Sequence, residues 1–276
     1  MNYRHAYHAG NFADVAKHLA LVVTLLYLRK KENPFFVLDT HGGRGRYDLA
    51  AGEAARTGEA ASGIGRLLPL TETAGLPDAL TAYLALVSGE GAGHYPGSPL
   101  LAARLLRPQD RLVAVEQHPE DVAALKAVLA SFRNAKVVEG DGYERLSALL
   151  PPKERRGLVL IDPPYEVADE FERAAAALAA AYRRFATGTY LLWFPIKSPA
   201  AADAFCGEAL ASGVAKALRI DVAVSASIRE DKERLTAAGL LVVNPPFGLD
   251  VEMRAAAEIL ASALNARLEV RRLAGD

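Results

Sequence analysis

Cysteine is nearly missing from this chain: Cys206 is the only one in 276 residues. A lone thiol forms no internal disulfide and has no partner for a cysteine-rich zinc site. A reducing, cytoplasmic setting is expected. Charge of one sign is missing as well: 32 Lys and Arg stand against 33 Asp and Glu, a formal net charge of −1. That balance excludes a histone-like or tail-driven nucleic-acid binder, though not a local basic face. Apolar runs such as 20–28 fall short of the roughly 20 residues a membrane helix needs. The opening MNYRHAYHAG has no apolar signal stretch, so no membrane association is expected. No H-E-x-x-H spacing is present among the six histidines, which argues against a metal site. Internal repeats and low-complexity tails are missing too.

What is present is half apolar, 51%, enough to bury a substantial core. Residues 11–32 read as a long amphipathic helix with Asn11 as N-cap and Lys30-Lys31 at the end where the helix dipole favours cations. Phe35 to Leu38 reads as a buried strand ending at Asp39, followed by a turn rich in Gly42, Gly43 and Gly45. Residues 48–95 show no strand character and read as a small helical insertion, closed by Pro96 to Ser98 and followed by a helix at 99–106 with Pro99 at its start.

Strands and helices then alternate. Strands are expected at 112–115, 135–138, 158–161 and 189–194, with helices at 119–131, 143–150, 167–186 and 199–211. Strand candidates 217–224 and 239–243 have no helix between them and are expected as an antiparallel pair at one edge. A helix at 249–265 and a strand at 267–272 finish the chain. The expected fold is α/β, a mostly parallel sheet with helices on both faces and ligands bound at the carboxyl ends of the strands.

Four strand ends carry candidate chemistry. The glycine turn after Asp39 lets a ligand approach the backbone, but alone it is a common tight turn. Glu116, at the end of a second strand, suits the two hydroxyls of a ribose. Asp141-Gly142, after a third, suits the amino group of an adenine. In isolation a solvated strand-end carboxylate is the more frequent case, and the two acids gain meaning only together with the glycine turn. In chain order they match a nucleoside lying along the top of a sheet.

The fourth strand runs straight into Asp162-Pro163-Pro164-Tyr165. Two prolines hold the backbone extended and remove two N–H donors. A carboxylate and a backbone carbonyl can then accept both hydrogens of an exocyclic amine, drawing its delocalised lone pair toward a tetrahedral nitrogen. Tyr165 can stack on the flat base. A sulfonium methyl donor is already activated, so positioning supplies most of the catalysis, and a base taken out of a helix needs such a pocket. Asp162 is therefore the expected catalytic residue, and Pro163, Pro164 and Tyr165 the expected substrate contacts. The look-alike Asn244-Pro245-Pro246-Phe247 comes too late in strand order; it reads as a rigid strand exit lining the substrate side. From the residues alone, DNA adenine, guanine N2 or a protein amide stay open as acceptors. So does a non-catalytic RNA-binding protein on the same fold.

The motifs resemble the bacterial 23S ribosomal RNA adenine-N6 methyltransferases of the RlmJ family through nearly the whole chain. The resemblance rests on Tyr3-Arg4-His5, His8 to Asn11 with Asp14 and Lys17-His18, Leu38 to His41, Arg44 to Tyr47 and Arg56 to Glu59. Tyr95 to Pro99, Asp162 to Glu166 and Arg184 to Tyr190 extend it. It implies a Rossmann-like class I methyltransferase domain spanning 1–276, with 1–34 capping the site and 48–95 as the helical insertion. It also implies S-adenosylmethionine as cofactor, 23S ribosomal RNA as partner through one flipped or unpaired adenine, and a monomer. By residue match the cofactor would be held by His18, His41, Ser98, Glu116, Asp141 and Gly142, and Tyr3 would contact RNA. On its own, His18 reads more simply as a helix histidine satisfied in the core. Arg4, Arg44 and Arg46 are the candidates for phosphate contact, and 228–235 reads as a charged loop that could touch RNA.

Overall fold

The computed structural model describes residues 8–50, 58–224 and 235–275. Tyr3, Arg4 and His5 lie outside the described residues, as do Arg56 and nearly all of the 228–235 loop. In chain order the elements are α1 (Phe12–Arg29), β1 (Phe36–Asp39), β2 (Arg46–Asp48), α2 (Glu59–Ser62), α3 (Ile64–Leu67), a 3-10 turn (Leu68–Glu72), α4 (Asp78–Ser88), β3 (His94–Pro96), α5 (Ser98–Leu105), β4 (Arg111–Glu116) and α6 (Pro119–Leu129). There follow β5 (Ala135–Glu139), α7 (Gly142–Leu149), β6 (Gly157–Ile161), α8 (Glu170–Arg184), β7 (Thr189–Pro195), α9 (Pro199–Leu210), β8 (Ala217–Val224), β9 (Ala237–Val243), α10 (Leu249–Leu264) and β10 (Ala266–Ala274).

Eight strands form one sheet in the order β10-β8-β9-β7-β6-β1-β4-β5. The five strands from β7 to β5 pair in parallel, and β9 runs antiparallel between β7 and β8. This is a doubly wound, Rossmann-like α/β arrangement. The expected antiparallel pair forms, but β10 adds to β8 and takes the edge instead. Strand residues alternate between two cores, as a pleat of period two requires. Val37, Leu112, Leu158 and Leu191 pack with α1, α4, α5 and α10. Leu38, Val113, Val159 and Leu192 pack with α8 and α9. Central strands such as β6, buried at all five residues, read as unbroken apolar runs because both faces are covered.

Two expectations need correction. Helix α1 is not amphipathic: it is buried without a break from Phe12 to Leu25. It lies against the sheet on one side and touches α4, α5 and α10 on the other, the usual position of a helix that is apolar all round. The insertion also contains strand. β2 and β3 pair at its two ends, with Tyr47 opposite Tyr95. Three residues each are too short for an alternating pattern to show. Among the described residues no helix is long and apolar enough to cross a membrane.

Candidate active site

The ends of β1, β4, β5, β6 and β7 open onto one cavity of about 690 Å³, within the roughly 300–1,000 Å³ usual for cofactor sites. Its lining brings together His18, His41, Ser98, Glu116, Asp141, Gly142, Asp162, Pro163, Pro164 and Tyr165. Every expected catalytic, substrate and cofactor residue that the structure describes is therefore on one wall or another of the same cavity. The phosphate candidates Arg44 and Arg46 lie outside its lining and pair with Asp121 and Glu90.

At the β4 end, Glu116 is pinned by backbone. The Gly43 N–H donates to its Oε2 at 2.8 Å, and the Gln117 and His118 N–H groups donate to Oε1, each at 2.8 Å. These bonds tie the glycine turn to the carboxylate and fix the orientation of both. At the β5 end, Asp141 caps α7: its Oδ1 accepts from Tyr143 and Glu144 N–H, while Oδ2 meets Arg173 at 3.2 Å. Gly142 is required there, because a Cβ would lie 2.2 Å from the Thr40 carbonyl oxygen and 3.0 Å from His41 Cε1. That close approach presses the β1 and β5 loops together at the cavity floor.

His41 bonds Thr40 Oγ1 through Nδ1 at 2.8 Å, and Thr40 in turn donates to the Leu160 carbonyl. Burial lowers its pKa to about 4, against the raising pull of Asp162 and Asp141. The imidazole is thus neutral near pH 7. His18 is both things the sequence allowed: its ring is buried and bonded to Tyr95, yet it lines the cavity. Asp39, just beneath, has one carboxylate oxygen buried with no hydrogen-bond partner. Burial raises its pKa to about 7; the Ser98 hydroxyl offsets part of this and Asp162 adds to it.

Asp162 sits at the end of β6, one strand from the glycine turn. Lys17 Nζ reaches its Oδ2 at 2.5 Å and Asp14 Oδ1 at 2.8 Å. Burial works against a charged Lys17, but the two carboxylates outweigh it and raise its pKa. Each hydrogen bond that the Asp162 carboxylate makes with the described residues engages Oδ2, leaving Oδ1 for a ligand. Asp14 is held in turn by the Gly10 N–H at 3.0 Å. The motif is not extended throughout: Tyr165 turns at φ 53, an uncommon conformation for a bulky residue and a sign of local strain. Its hydroxyl donates to the Trp193 carbonyl at 2.8 Å, and its ring packs on Phe171 and Trp193. The ring is therefore locked in place.

Lys17, Tyr143, Glu170, Arg173 and Trp193 line the cavity but had no role assigned from the sequence. For Lys17 a signal existed: Asp14 and Lys17 are the only charged residues between Phe12 and Leu28 of an otherwise apolar helix. The others join the site only through packing.

The look-alike goes the other way. β9 is antiparallel to β7, with Val243 opposite Tyr190, so Asn244 leaves the sheet at the end far from Asp162. Its carboxamide donates to the Ala186 and Gly188 carbonyls, each at 2.8 Å. It is a strand exit, as expected, but it does not line the substrate side.

Residues 32–272 match the family model described as "Ribosomal RNA large subunit methyltransferase D, RlmJ". The Ribosomal RNA large subunit methyltransferase J of Haemophilus influenzae is 42% identical over 259 residues, covering 92% of this chain and 90% of that protein. The Escherichia coli K12 protein of the same name is 42% identical over 258 residues, with the same coverage. A crystal structure of a Legionella pneumophila protein superposes with a TM-score of 0.85 at 35% identity, covering 96% of this chain and 98% of that one. The cavity at the strand ends is in keeping with these matches: this chain belongs to the RlmJ family of ribosomal RNA large subunit methyltransferases.

Proposed function

We propose that this protein transfers a methyl group from S-adenosylmethionine to the N6 amino group of an adenine in 23S ribosomal RNA. The observation that carries the reading is Asp162, fixed through Oδ2 by a buried lysine with Oδ1 left for an amine, in the same cavity as a backbone-pinned Glu116. The donor set fits the cofactor. Glu116 presents a fixed carboxylate suited to a vicinal diol, and Asp141 with Gly142 would meet the adenine. The Oδ2 of Asp141 would share its pairing with Arg173. His18, His41 and Ser98 would hold the amino-acid end. When bound, the cofactor supplies an electrophilic methyl group on a sulfonium.

The residues of the chain do the positioning. Asp162 Oδ1 and the Pro163 carbonyl would accept the two amine hydrogens, drawing the nitrogen toward a tetrahedral geometry that localises the lone pair otherwise spread into the ring. The Asp162 carboxylate would also face the positive charge that develops on that nitrogen, which favours the transition state over the ground state. Lys17 is the positioning residue: held charged between Asp14 and Asp162, it accepts no proton and only orients. A neutral His41 adds no positive charge to a cavity that must admit a sulfonium. Tyr165, locked by Trp193, would provide the stacking face, and Tyr3 would meet RNA from the N-terminal side.

Methyl transfer from labelled S-adenosylmethionine to unmodified large-subunit ribosomal RNA tests this. The Asp162→Ala variant is expected to lose about 10²–10³-fold in rate. Equal incorporation by variant and wild type would sink the reading.

A further inference from the structure

The charges around the cavity are unevenly matched. Among the described residues six carboxyl groups line it, those of Asp14, Glu116, Asp121, Asp141, Asp162 and Glu170, against the three lysine and arginine side chains of Lys17, Arg173 and Lys197. A cleft lined by one sign of charge focuses its field. That field attracts a cationic sulfonium and repels phosphate. The cavity therefore suits the cofactor but not the backbone of an RNA, whose phosphates need a cation of the chain at the rim.

Two of the three cations are already engaged. Lys17 pairs with Asp14 and Asp162, and Arg173 with Asp141 and Glu170. Lys197 is exposed and makes no hydrogen bond or ion pair with the described residues. Strand order puts it on the acceptor side. Glu116 and Asp141 lie at the ends of β4 and β5, on one flank of β6, whereas Lys197 follows two residues after β7, on the other. Its main chain is anchored: the preceding Ile196 N–H donates to the Ala237 carbonyl at 2.9 Å. The same stretch of chain meets the catalytic motif, since the Trp193 carbonyl holds the Tyr165 hydroxyl. A lysine at an exposed strand exit is ordinarily a solvated charge; Lys197 differs in lining the cavity of the catalytic motif.

We propose that Lys197 is a substrate-binding residue that takes a backbone phosphate of the RNA beside the target adenosine, holding the polyanion at the rim while the base alone enters the acid-lined cavity. This rests on the RNA reading above and adds which side chain answers the phosphate. Lysine suits the task as a compact charge on a flexible stem, here set on a fixed strand exit. The carboxylates of the interior then act as a filter. They admit the uncharged base and the cationic cofactor and turn the phosphate away.

Steady-state methyl transfer to unmodified large-subunit RNA, over a series of salt concentrations, tests it. Lys197→Gln is expected to raise KM for the RNA about three- to fivefold at low salt. It should also flatten the dependence of log KM on log salt by about 0.7–0.9, the share of one phosphate contact. The kcat, and the affinity for S-adenosylmethionine by calorimetry, should stay as in wild type, and Lys197→Arg should restore both KM and slope. Lys153 is an exposed lysine ahead of β6, at the opposite end of the sheet, and Lys153→Gln should change neither. An unchanged KM and slope in Lys197→Gln, a loss confined to kcat, or an equal loss in Lys153→Gln overturns the proposal. If wild type transfers no methyl group to this RNA, the function reading falls. The salt dependence of RNA binding, followed by fluorescence anisotropy, then judges Lys197 by the same difference in slope, and no binding by wild type overturns it as well.

Discussion

Asp39 shows how a single side chain carries a cost of the site. Its carboxyl is fully enclosed, one oxygen has no partner, and its pKa is raised to about 7 from 3.8. A pKa raised on folding means the native state holds the proton more tightly than the unfolded one. Below about pH 4 both states are protonated and burial costs nothing extra; the penalty grows between pH 4 and 7 and is complete above 7. The stability of Asp39→Asn relative to wild type should therefore improve by a few kcal/mol from pH 4 to pH 8. Urea unfolding at the two pH values checks it, and a pH-independent difference would refute it. Asn244 is the opposite case, a site-like residue with only structural work. Its side chain holds two carbonyls and its backbone sits at φ 49. Asn244→Ala should cost about 1–3 kcal/mol and leave the kcat of methyl transfer unchanged.

At the scale of elements, a joint between the α1 N-terminus and the start of α2 brings His8 to Asn11 together with Glu59, two stretches far apart in sequence. Asn11 Oδ1 caps α1, while its amide and His8 Nδ1 both meet Glu59 Oε2 at 3.0 Å. Ile64 N–H donates to the Gly10 carbonyl at 2.8 Å. Gly63 makes this approach possible: a Cβ there would lie 2.1 Å from the Gly10 oxygen and 2.8 Å from Asn11 Cα. Backbone cannot yield as a side-chain tip can. Gly63→Ala should cost about 1–3 kcal/mol, and because Asp14 and Lys17 lie within about two turns of the cap, kcat should fall with it. A variant that unfolds as wild type does would show that the joint carries no load.

For the molecule as a whole, the cavity draws on five strand ends and on α1, so a ligand filling it ties together elements distant in sequence. S-adenosylmethionine at 100 times its Kd should add about 2.7 kcal/mol of stability, which for a chain of this size raises Tm by about 5–10 °C. Asp162→Asn should keep that rise while losing methyl transfer, since Asp162 is assigned to the amine and not to the cofactor. Loss of both together in a folded variant would move Asp162 into the cofactor site.

The sequence by itself determined the strand order of the chemistry. Each carboxylate stands where an apolar run stops, and in a parallel sheet those stops share one edge, so Glu116, Asp141 and Asp162 could be placed together from pattern alone. It also separated Asp162 from Asn244 by position. Only the tertiary structure decided the rest. That Lys17 meets Asp162 follows from where a buried helix crosses the sheet, 145 residues away in chain. That Asn244 faces the far end follows from the direction of β9, which no local pattern encodes. The pairing of β2 with β3 and the contact of Tyr95 with His18 arise the same way. Such contacts depend on which surfaces meet, and a one-dimensional pattern records only which residues want to be inside.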